Sequence, residues 1–283
     1  MARIAYVNGR YCALQSAAVA VEDRGYQFAD GVYEVIKVLS GQPRDLERHL
    51  DRLARSLAAL DIPPPMTRRA LASVLHETLR RNRLSNALVY LQVTRGTAPR
   101  NHVFPQRARP SLVVTVRRPA FPGEREREEG VGVITQPDLR WGRCDIKSIS
   151  LLPNVLARQS AAAAGCREAW LIDGAGNVTE GSASNAYIVD AARRLITHPL
   201  NERILGGVTR SVVLELARHE GIEVVEEPFS LDQAHTAREA ALSSTSSWLL
   251  PVTSIDGRPI SNGMPGHVVG RLMALYAGHL GVA

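Results

Sequence analysis

Residues 141–150 read Trp-Gly-Arg-Cys-Asp-Ile-Lys-Ser-Ile-Ser, and they contain Lys147, one of only two lysines in the 283-residue chain. The second lysine is Lys37, and every other Lys/Arg position holds an arginine. A lysine amine can form a Schiff base with a carbonyl group, whereas a guanidinium stays protonated and delocalised. Lys147 is therefore either a surface lysine or an amine that bonds covalently to a carbonyl-bearing cofactor.

Strand and helix patterns alternate on both sides of this segment, which predicts a mixed α/β fold. The turn Asn8-Gly9 is typical of a β-hairpin, and leucines from Leu46 to Leu60 recur at helical spacing. Predicted strands cover residues 3–7, 10–14, 32–39, 89–94, 112–117, 168–172, 185–189 and 194–197. Predicted helices cover residues 45–60, 67–83, 153–165, 209–219 and 266–279.

Residues 118–127 contain two prolines, a glycine and a run of charges, which is the composition of a linker. A chain of this length forms one large domain or two smaller ones, at roughly 100–200 residues per domain. We therefore predict a smaller N-terminal α/β domain over residues 1–118, a linker over 119–127 and a larger C-terminal α/β domain over 128–283.

Composition and charge argue against several classes of function. The formal net charge is +6, but the arginines alternate with acidic residues and few aromatic residues are present, so nucleic-acid binding is not expected. The three cysteines form no Cys-x-x-Cys pair, which argues against a zinc site or a disulfide framework and fits a reducing cytoplasm. No stretch approaches the roughly 20 apolar residues of a membrane span. We expect a cytoplasmic protein without a metal, nucleic-acid or membrane partner.

Two polar segments of the C-terminal half offer groups that can act with Lys147. Residues 178–185 place the carboxylate of Glu180 between a turn and a strand of small residues. Residues 204–210 contain Gly206 and Gly207 before a predicted helix, where free backbone N–H groups and close backbone approach suit a phosphate. Taken alone, the first segment also fits an ordinary loop acid, and the second also fits a plain helix cap.

Two further segments carry hydroxyl and cationic groups. Residues 243–247 put five hydroxyl side chains in a row, which either bind phosphate oxygens or form a loop. Residues 94–105 carry Arg100 and His102, which either clamp a carboxylate or are solvated. A Schiff-base lysine, a lone carboxylate and a phosphate cradle are together the groups needed to hold pyridoxal phosphate.

The sequence resembles the bacterial D-amino acid aminotransferases from about residue 6 to residue 260. The lysine, glutamate and glycine-threonine segments are shared by all fold-type IV pyridoxal-phosphate enzymes, including branched-chain aminotransferases and aminodeoxychorismate lyases. The Arg-x-His loop points to the D-amino acid branch. The matching segments are residues 22–35, 92–97 with Pro99, Arg100 and His102, 143–148, 178–182 and 207–210.

The resemblance implies a two-domain fold-type IV enzyme with pyridoxal 5′-phosphate between the domains. Lys147 would bond covalently to the cofactor and move the proton at the substrate Cα. Glu180 would pair with the pyridine nitrogen, since a nearby carboxylate favours the protonated ring. Leu205 would pack against the ring face. The phosphate would be bound by Arg52, Val208, Thr209 and Thr245.

The resemblance also implies how the substrate is held. Tyr33, with Arg100 and His102 contributed by the partner subunit, would bind the α-carboxylate, so a homodimer with a shared active site is expected. Tyr33 and Lys37 face the same side of a strand. Lys37 therefore either lies at the pocket rim, where it favours acidic side chains, or is a solvated lysine at the strand end. Trp248 departs from the family, which carries a less bulky residue after the hydroxyl run, and a side chain of this bulk bears on the size of the substrate pocket.

These features lead to one expected activity, the transamination of D-amino acids such as D-alanine or D-glutamate with an α-keto acid acceptor. The mechanism would be ping-pong, with Lys147 as the covalent attachment point. The alternatives on the same scaffold are a branched-chain-type L-amino acid transaminase, an (R)-amine transaminase and an aminodeoxychorismate lyase.

Overall fold

A computed structural model of the chain describes residues 3–282. Over this range the chain forms two compact units. The first comprises residues up to Pro119 together with Ile146–Ser150, and the second comprises Ala120–Asp145 and the residues from Leu151 onward. No helix among the described residues has the length and apolar character to cross a membrane.

Both units contain helices and strands. The helices are α1 (Arg24–Phe28), α2 (Leu46–Ala59), α3 (Arg68–Asn82), α4 (Glu124–Glu128), α5 (Leu152–Ala163), α6 (Val208–His219), α7 (Leu231–Thr236) and α8 (His267–Leu280). The strands are β1 (Ile4–Val7), β2 (Arg10–Ala13), β3 (Gly31–Leu39), β4 (Gln42–Pro43), β5 (Ala87–Thr94), β6 (Ser111–Arg117), β7 (Val131–Pro137), β8 (Glu168–Ile172), β9 (Asn177–Gly181), β10 (Asn185–Val189), β11 (Leu195–Thr197), β12 (Val224–Glu226), β13 (Phe229–Ser230), β14 (Glu239–Ser244), β15 (Trp248–Ile255) and β16 (Arg258–Pro259).

The first unit is an antiparallel sheet with the strand order β2-β1-β6-β5-β3-β4. Helix α2 contacts β3, and α3 contacts β1 and β6. The buried leucines of α2 are Leu50, Leu53 and Leu57, whose spacing of three and four residues places them on one stripe. Each fully buried leucine contributes roughly 1.5–3 kcal/mol. This stripe fixes the face of α2 that meets the sheet.

The segment Ile146–Ser150 lies along β3 like a short extra strand. The N–H of Tyr33 donates to the Lys147 carbonyl over 3.0 Å, and the N–H of Ile149 donates to the Gly31 carbonyl over 3.0 Å. Ile146 joins the hydrophobic core of the first unit. These five residues therefore belong to the first unit, although the residues on either side of them belong to the second. A division of the sequence into consecutive ranges does not capture this, because the pairing joins distant parts of the chain.

The second unit is built on a mixed sheet with the order β12-β11-β10-β14-β15-β7-β8-β9-β13, with β16 paired to β15. The pairs β15-β7, β7-β8 and β11-β12 are parallel. Trp170 and Phe229 meet edge to face in its core, with 6.2 Å between ring centroids. Asn185, the first residue of β10, is paired with Ser243 near the end of β14. This register brings the loop after β9 close to the β14–β15 turn.

The predicted elements are confirmed to within two residues at each end, and the mixed α/β fold is confirmed with them. The structure adds strands that the sequence patterns did not reveal, among them β7 and β9. Residues 124–128, within the segment expected as a linker, form α4. Arg125 Nε and Glu129 Oε2 are 2.7 Å apart at i,i+4 spacing. Ion pairs at this spacing stabilise a helix, so the run of charged residues supports helix formation.

Candidate active site

Lys147 and Tyr33 lie together in the first unit. The Lys147 amine is 4.3 Å from the centroid of the Tyr33 ring, a cation–π distance. The Lys147 N–H donates to the Ser56 hydroxyl over 3.2 Å, so the backbone of Lys147 is bound to both β3 and α2. Lys147 is half-buried. A backbone fixed on two sides gives its amine a defined position, as a covalent attachment point requires.

Arg52 is part of a buried cluster with Glu34 and His49. Arg52 binds Glu34 through Nε and Nη2, each at 2.8 Å, and His49 Nδ1 lies 2.7 Å from Glu34 Oε2. Burial by itself raises the pKa of Glu34, but the Arg52 charge and the hydrogen bonds lower that pKa to about 2. Burial lowers the pKa of His49, although the hydrogen bond that Glu34 accepts from it acts in the opposite direction. Glu34 thus stays ionised and orients the guanidinium of Arg52.

Glu34 and His49 are residues of the candidate site that the sequence reasoning missed. The signal for Glu34 was an acidic residue inside a largely apolar strand, where a charge survives burial only with a partner. His49 and Arg52 are three apart on α2, so they lie on neighbouring surface. Their link to Glu34 depends on α2 packing against β3, which residue spacing does not show.

Lys37 is buried, with 2% of its surface exposed. Burial and, to a smaller extent, the Arg44 charge lower the pKa of Lys37 to about 7, although Asp45 acts in the opposite direction. Of the two interpretations of Lys37, the solvated strand end is therefore wrong. Its role towards substrate stays a prediction.

Arg100 and His102 project from the loop that follows β5, and both are exposed. The Arg100 guanidinium lies 4.5 Å from the centroid of the Phe28 ring, and the His102 ring lies 5.2 Å from it. Within residues 3–282, neither side chain makes a hydrogen bond or ring contact with Tyr33. The structure therefore keeps these two residues together but does not join them to Tyr33 of the same chain.

Glu180 lies buried at the end of β9 in the second unit. Its Oε2 accepts hydrogen bonds from the Asn185 amide over 3.0 Å and from the Leu205 N–H over 3.1 Å. Its Oε1 accepts a charged hydrogen bond from Arg140. The Asn185 amide also donates to the Leu205 carbonyl over 2.9 Å. The structure thus brings together Glu180 and Leu205, two of the predicted residues, by a direct hydrogen bond and through Asn185, which was not predicted.

Arg140, whose side chain is 6% exposed, is a further residue that sequence reasoning missed. It forms a forked ion pair with Asp138 through Nε and Nη2, at 2.9 and 2.8 Å. Burial alone lowers the pKa of Arg140, but Asp138 and Glu180 raise it overall. The chain Asp138–Arg140–Glu180 leaves the Glu180 carboxylate with a charged partner on one oxygen and neutral donors on the other. Arg140 lies seven positions before Lys147 in the sequence. Its ion pairs with Asp138 and Glu180 are revealed only by the three-dimensional structure.

The start of helix α6 has the properties of an anion site. Val208 and Thr209 are its first residues and follow the N-cap Gly207, which provides no side-chain cap, and the first turn contains no acidic residue. The N–H groups of the first turn have no acceptor within the helix, and the helix dipole favours negative charge there. The Thr209 hydroxyl is 3.4 Å from the Tyr276 hydroxyl. These donors suit a phosphate group.

Thr245 lies in the turn of the β14–β15 hairpin, where Ser244 is paired with Trp248. The Ser244 hydroxyl accepts a hydrogen bond from the Ser247 N–H over 2.9 Å, so part of the hydroxyl run stabilises the turn itself. The Trp248 ring packs on Phe121, with 5.3 Å between centroids. Phe121 therefore covers one side of Trp248, the bulky residue that departs from the family pattern.

Comparison with known proteins relates this arrangement to a family. Residues 31–255 match the family described as amino-transferase class IV. The chain is 43% identical over 260 residues to the D-alanine aminotransferase of Bacillus licheniformis, with 92% of this chain and 90% of that protein covered. It is 41% identical over 268 residues to the D-alanine aminotransferase of Listeria innocua serovar 6a, with 94% and 92% covered.

Solved structures give the same relation at the level of the fold. A branched-chain amino acid aminotransferase with pyridoxamine 5′-phosphate, from the organism abbreviated T.th., superimposes with a TM-score of 0.90 at 26% identity, and covers 100% of this chain and 96% of that chain. The branched-chain aminotransferase of Escherichia coli also gives a TM-score of 0.90, at 24% identity, with 98% and 94% covered.

Proposed function

This chain belongs to the amino-transferase class IV family, and we propose that it transaminates D-amino acids with an α-keto acid as the acceptor. It is an aminotransferase, and pyridoxal 5′-phosphate is its cofactor. The observation that carries the D-amino acid assignment is the 43% identity, over 92% of the chain, to a D-alanine aminotransferase. Arg100 and His102, on the loop that points to the D-amino acid branch, support it.

The groups of this chain fit pyridoxal phosphate. The first unit offers a lysine amine with a fixed backbone, and the second unit offers a carboxylate held by three donors. The uncapped start of α6 suits the phosphate. When bound, the cofactor supplies an aldehyde carbon that takes up the amino group and a ring that withdraws electron density from the substrate Cα. The residues that would hold it are Lys147, Glu180, Arg52, Leu205, Val208, Thr209 and Thr245.

The protein groups then have separate tasks. The Lys147 amine takes the proton from the substrate Cα, as a general base. Glu180 keeps the proton on the ring nitrogen, while Arg140 and Asn185 hold Glu180 in orientation. The donor leaves as a keto acid before the acceptor binds, so the kinetics are ping-pong.

Arg100 and His102 hold the substrate α-carboxylate together with Tyr33, and this contact decides which enantiomer reacts. The Cα–H bond must point at the Lys147 amine, and the nitrogen and the carboxylate are both held. The side chain then has one direction left. The opposite enantiomer must either leave the clamp or turn its proton away from Lys147. The preference for the D-form follows from the relatives and not from these residues alone.

We also propose a homodimer in the cytoplasm, in which Arg100 and His102 of the partner subunit complete the site. Their exposure and their packing on Phe28, away from Tyr33 of the same chain, support this arrangement. Lys37 lies on the strand of Tyr33 and has a pKa of about 7. We propose that the side-chain carboxylate of an acidic substrate favours its protonated form, so that Lys37 favours acidic substrates. An L-branched-chain activity is the second candidate, because solved branched-chain aminotransferases share the fold with TM-scores of 0.90.

An activity panel tests the proposal against this second candidate. Both enantiomers of alanine, glutamate and leucine are supplied with 2-oxoglutarate or pyruvate, and keto-acid formation is followed. We expect the D-forms of alanine and glutamate to give the largest kcat/KM. Faster turnover of L-leucine than of D-alanine would instead support the branched-chain alternative.

A further inference from the structure

The backbone of the loop that carries Arg100 and His102 is hydrogen-bonded to the first unit through one buried arginine. Arg24 is 3% exposed. Its Nη1 donates to the Asn101 carbonyl over 2.5 Å and its Nη2 to the His102 carbonyl over 3.4 Å. Among residues 3–282, no other residue outside the segment 100–104 makes a hydrogen bond to the backbone of that segment. We call this segment the clamp loop.

Arg24 is itself firmly held. Its Nε donates to Asp30 Oδ2 over 2.7 Å, and its N–H donates to the Gly96 carbonyl over 2.9 Å. Arg95 binds the same Asp30 at 2.8 and 3.0 Å, so the carboxylate is fixed from a second side. The guanidinium fork therefore joins a rigid carboxylate to two loop carbonyls. A lysine, with one point-like ammonium group, cannot reproduce this geometry.

The same short helix also supports the side chains of the clamp loop. Phe28, at the end of α1, has the Arg24 guanidinium 4.8 Å from its ring centroid. Arg100 and His102 contact the same ring. Helix α1 thus holds the loop backbone through Arg24 and supports the two functional side chains through Phe28.

We propose that Arg24 is a positioning residue for the substrate carboxylate: it fixes the backbone at Asn101 and His102, so that Arg100 and His102 project in the geometry that binds the carboxylate. The inference rests on the proposed function, because that function assigns a carboxylate to Arg100 and His102. Arg24 does not touch substrate. It acts only through the loop.

Kinetic constants distinguish this role from a general loss of structure. The carboxylate is held in both the ground state and the transition state, so a misplaced clamp raises KM with little change in kcat. In Arg24→Met we expect the KM for D-alanine to rise roughly tenfold or more, since misplacing a binding group by about 1 Å can cost on the order of a hundredfold. Arg24→Lys should fall between Arg24→Met and the wild type.

Arg95→Lys is the matched control, because it changes the other arginine on Asp30. The remaining hydrogen bonds of Arg95 go to the carbonyls of residues 60 and 61 and not to the backbone of the clamp loop. Its guanidinium also lies 3.5 Å from the centroid of the Phe104 ring, a cation–π contact that a lysine can keep. We expect the KM of this variant to stay within about threefold of the wild type, a change too small to reflect loss of a charged hydrogen bond.

Amide hydrogen exchange of the clamp loop gives a second readout that does not depend on activity. Measured by mass spectrometry on the holoenzymes, exchange should be faster in the Arg24 variants, because the loop backbone has lost its anchor. It should be unchanged in Arg95→Lys.

The variant Arg100→Leu distinguishes the positioning role of Arg24 from the proposed binding of the carboxylate by Arg100 and His102. If Arg100→Leu raises KM but Arg24→Met does not, Arg24 has no positioning role, while the proposed function stands. If Arg100→Leu leaves KM unchanged, there is no clamp to position, and both the inference and the carboxylate assignment fail. Equal losses in the Arg24 variants and in Arg95→Lys, with faster exchange throughout the first unit, would assign Arg24 a structural role and overturn the inference.

Discussion

At the scale of single residues, Lys147 is the side chain on which the proposed chemistry depends. Its backbone is bound to β3 and to Ser56, so a substitution that keeps the charge leaves the attachment of the segment intact. Lys147→Arg should therefore fold, but lose covalent attachment of the cofactor and roughly a thousandfold or more in kcat, the scale of an acid–base group. Borohydride reduction followed by peptide mapping of the wild type should place the reduced adduct on Lys147. An adduct on Lys37 would contradict the assignment.

Lys37 leads to a prediction about stability and pH. Its pKa is about 7 in the folded chain, against an ordinary value of 10.5. Between these values the unfolded chain binds a proton that the folded chain does not, so this lysine makes the folded state more stable as pH rises from 7 to 10.5. Lys37→Met removes that dependence. The variant should be more stable than the wild type at pH 7, by at least about 1 kcal/mol, and the difference should shrink towards pH 10.5.

Urea unfolding of both proteins at several pH values measures this difference. Other titrating groups are common to both proteins and cancel in the comparison. A difference that does not change between pH 7 and 10.5 would show that Lys37 is charged in the folded state.

The residues that sequence could identify are those whose meaning is local. Lys147 stands out because lysine is scarce, and Glu180 because it lies in a segment of small residues. Arg140 acts through Glu180, 40 positions away, and Glu34 acts through His49, 15 positions away. Asn185 joins Glu180, five positions before it, to Leu205, 20 positions after it. No spacing rule predicts such pairs.

At the scale of elements, the start of α6 packs closely against Asn185. A methyl group added at Gly207 would collide with Asn185 Oδ1, whereas at Gly206 the nearest atom, Leu200 Cδ2, is 3.7 Å away. Gly207→Ala should therefore displace Asn185 from Glu180 and Leu205 and weaken cofactor binding by roughly tenfold, the scale of one or two lost hydrogen bonds. Gly206→Ala is the matched control and should bind more nearly like the wild type.

Titration of the apoenzyme with pyridoxal phosphate gives the Kd of both variants. Equal Kd values for Gly207→Ala and the wild type would mean that Asn185 does not couple Glu180 to the start of α6.

The elements themselves were largely predictable because their patterns are local. The leucine spacing that includes Leu50, Leu53 and Leu57 predicted helix α2, and the Asn8-Gly9 turn predicted the β1–β2 hairpin. Strand β9, with small and polar residues buried on both sides, has no alternation to reveal it. The pairing of Ile146–Ser150 with β3 was also not predictable, since it joins segments more than a hundred residues apart.

At the scale of the whole molecule, the proposed homodimer makes a quantitative prediction. In a mixed dimer of Lys147→Ala and Arg100→Leu subunits, one site has both changes and the other has neither, if the clamp comes from the partner. Such a dimer should regain about half of the wild-type kcat/KM, as the twofold symmetry requires. Co-expression with two affinity tags isolates it. Activity no higher than that of the Arg100→Leu homodimer would place the clamp and the lysine in the same subunit.

The central claim is that this enzyme removes the amino group from D-amino acids by ping-pong transamination. It is tested most directly by mixing the holoenzyme with D-alanine or L-alanine in the absence of any keto acid and measuring pyruvate. The account predicts a burst of about one pyruvate per subunit with D-alanine, followed by no further turnover until 2-oxoglutarate is added, and no burst with L-alanine. A burst with L-alanine that equals or exceeds the burst with D-alanine, or continuous pyruvate release without an acceptor, would contradict it.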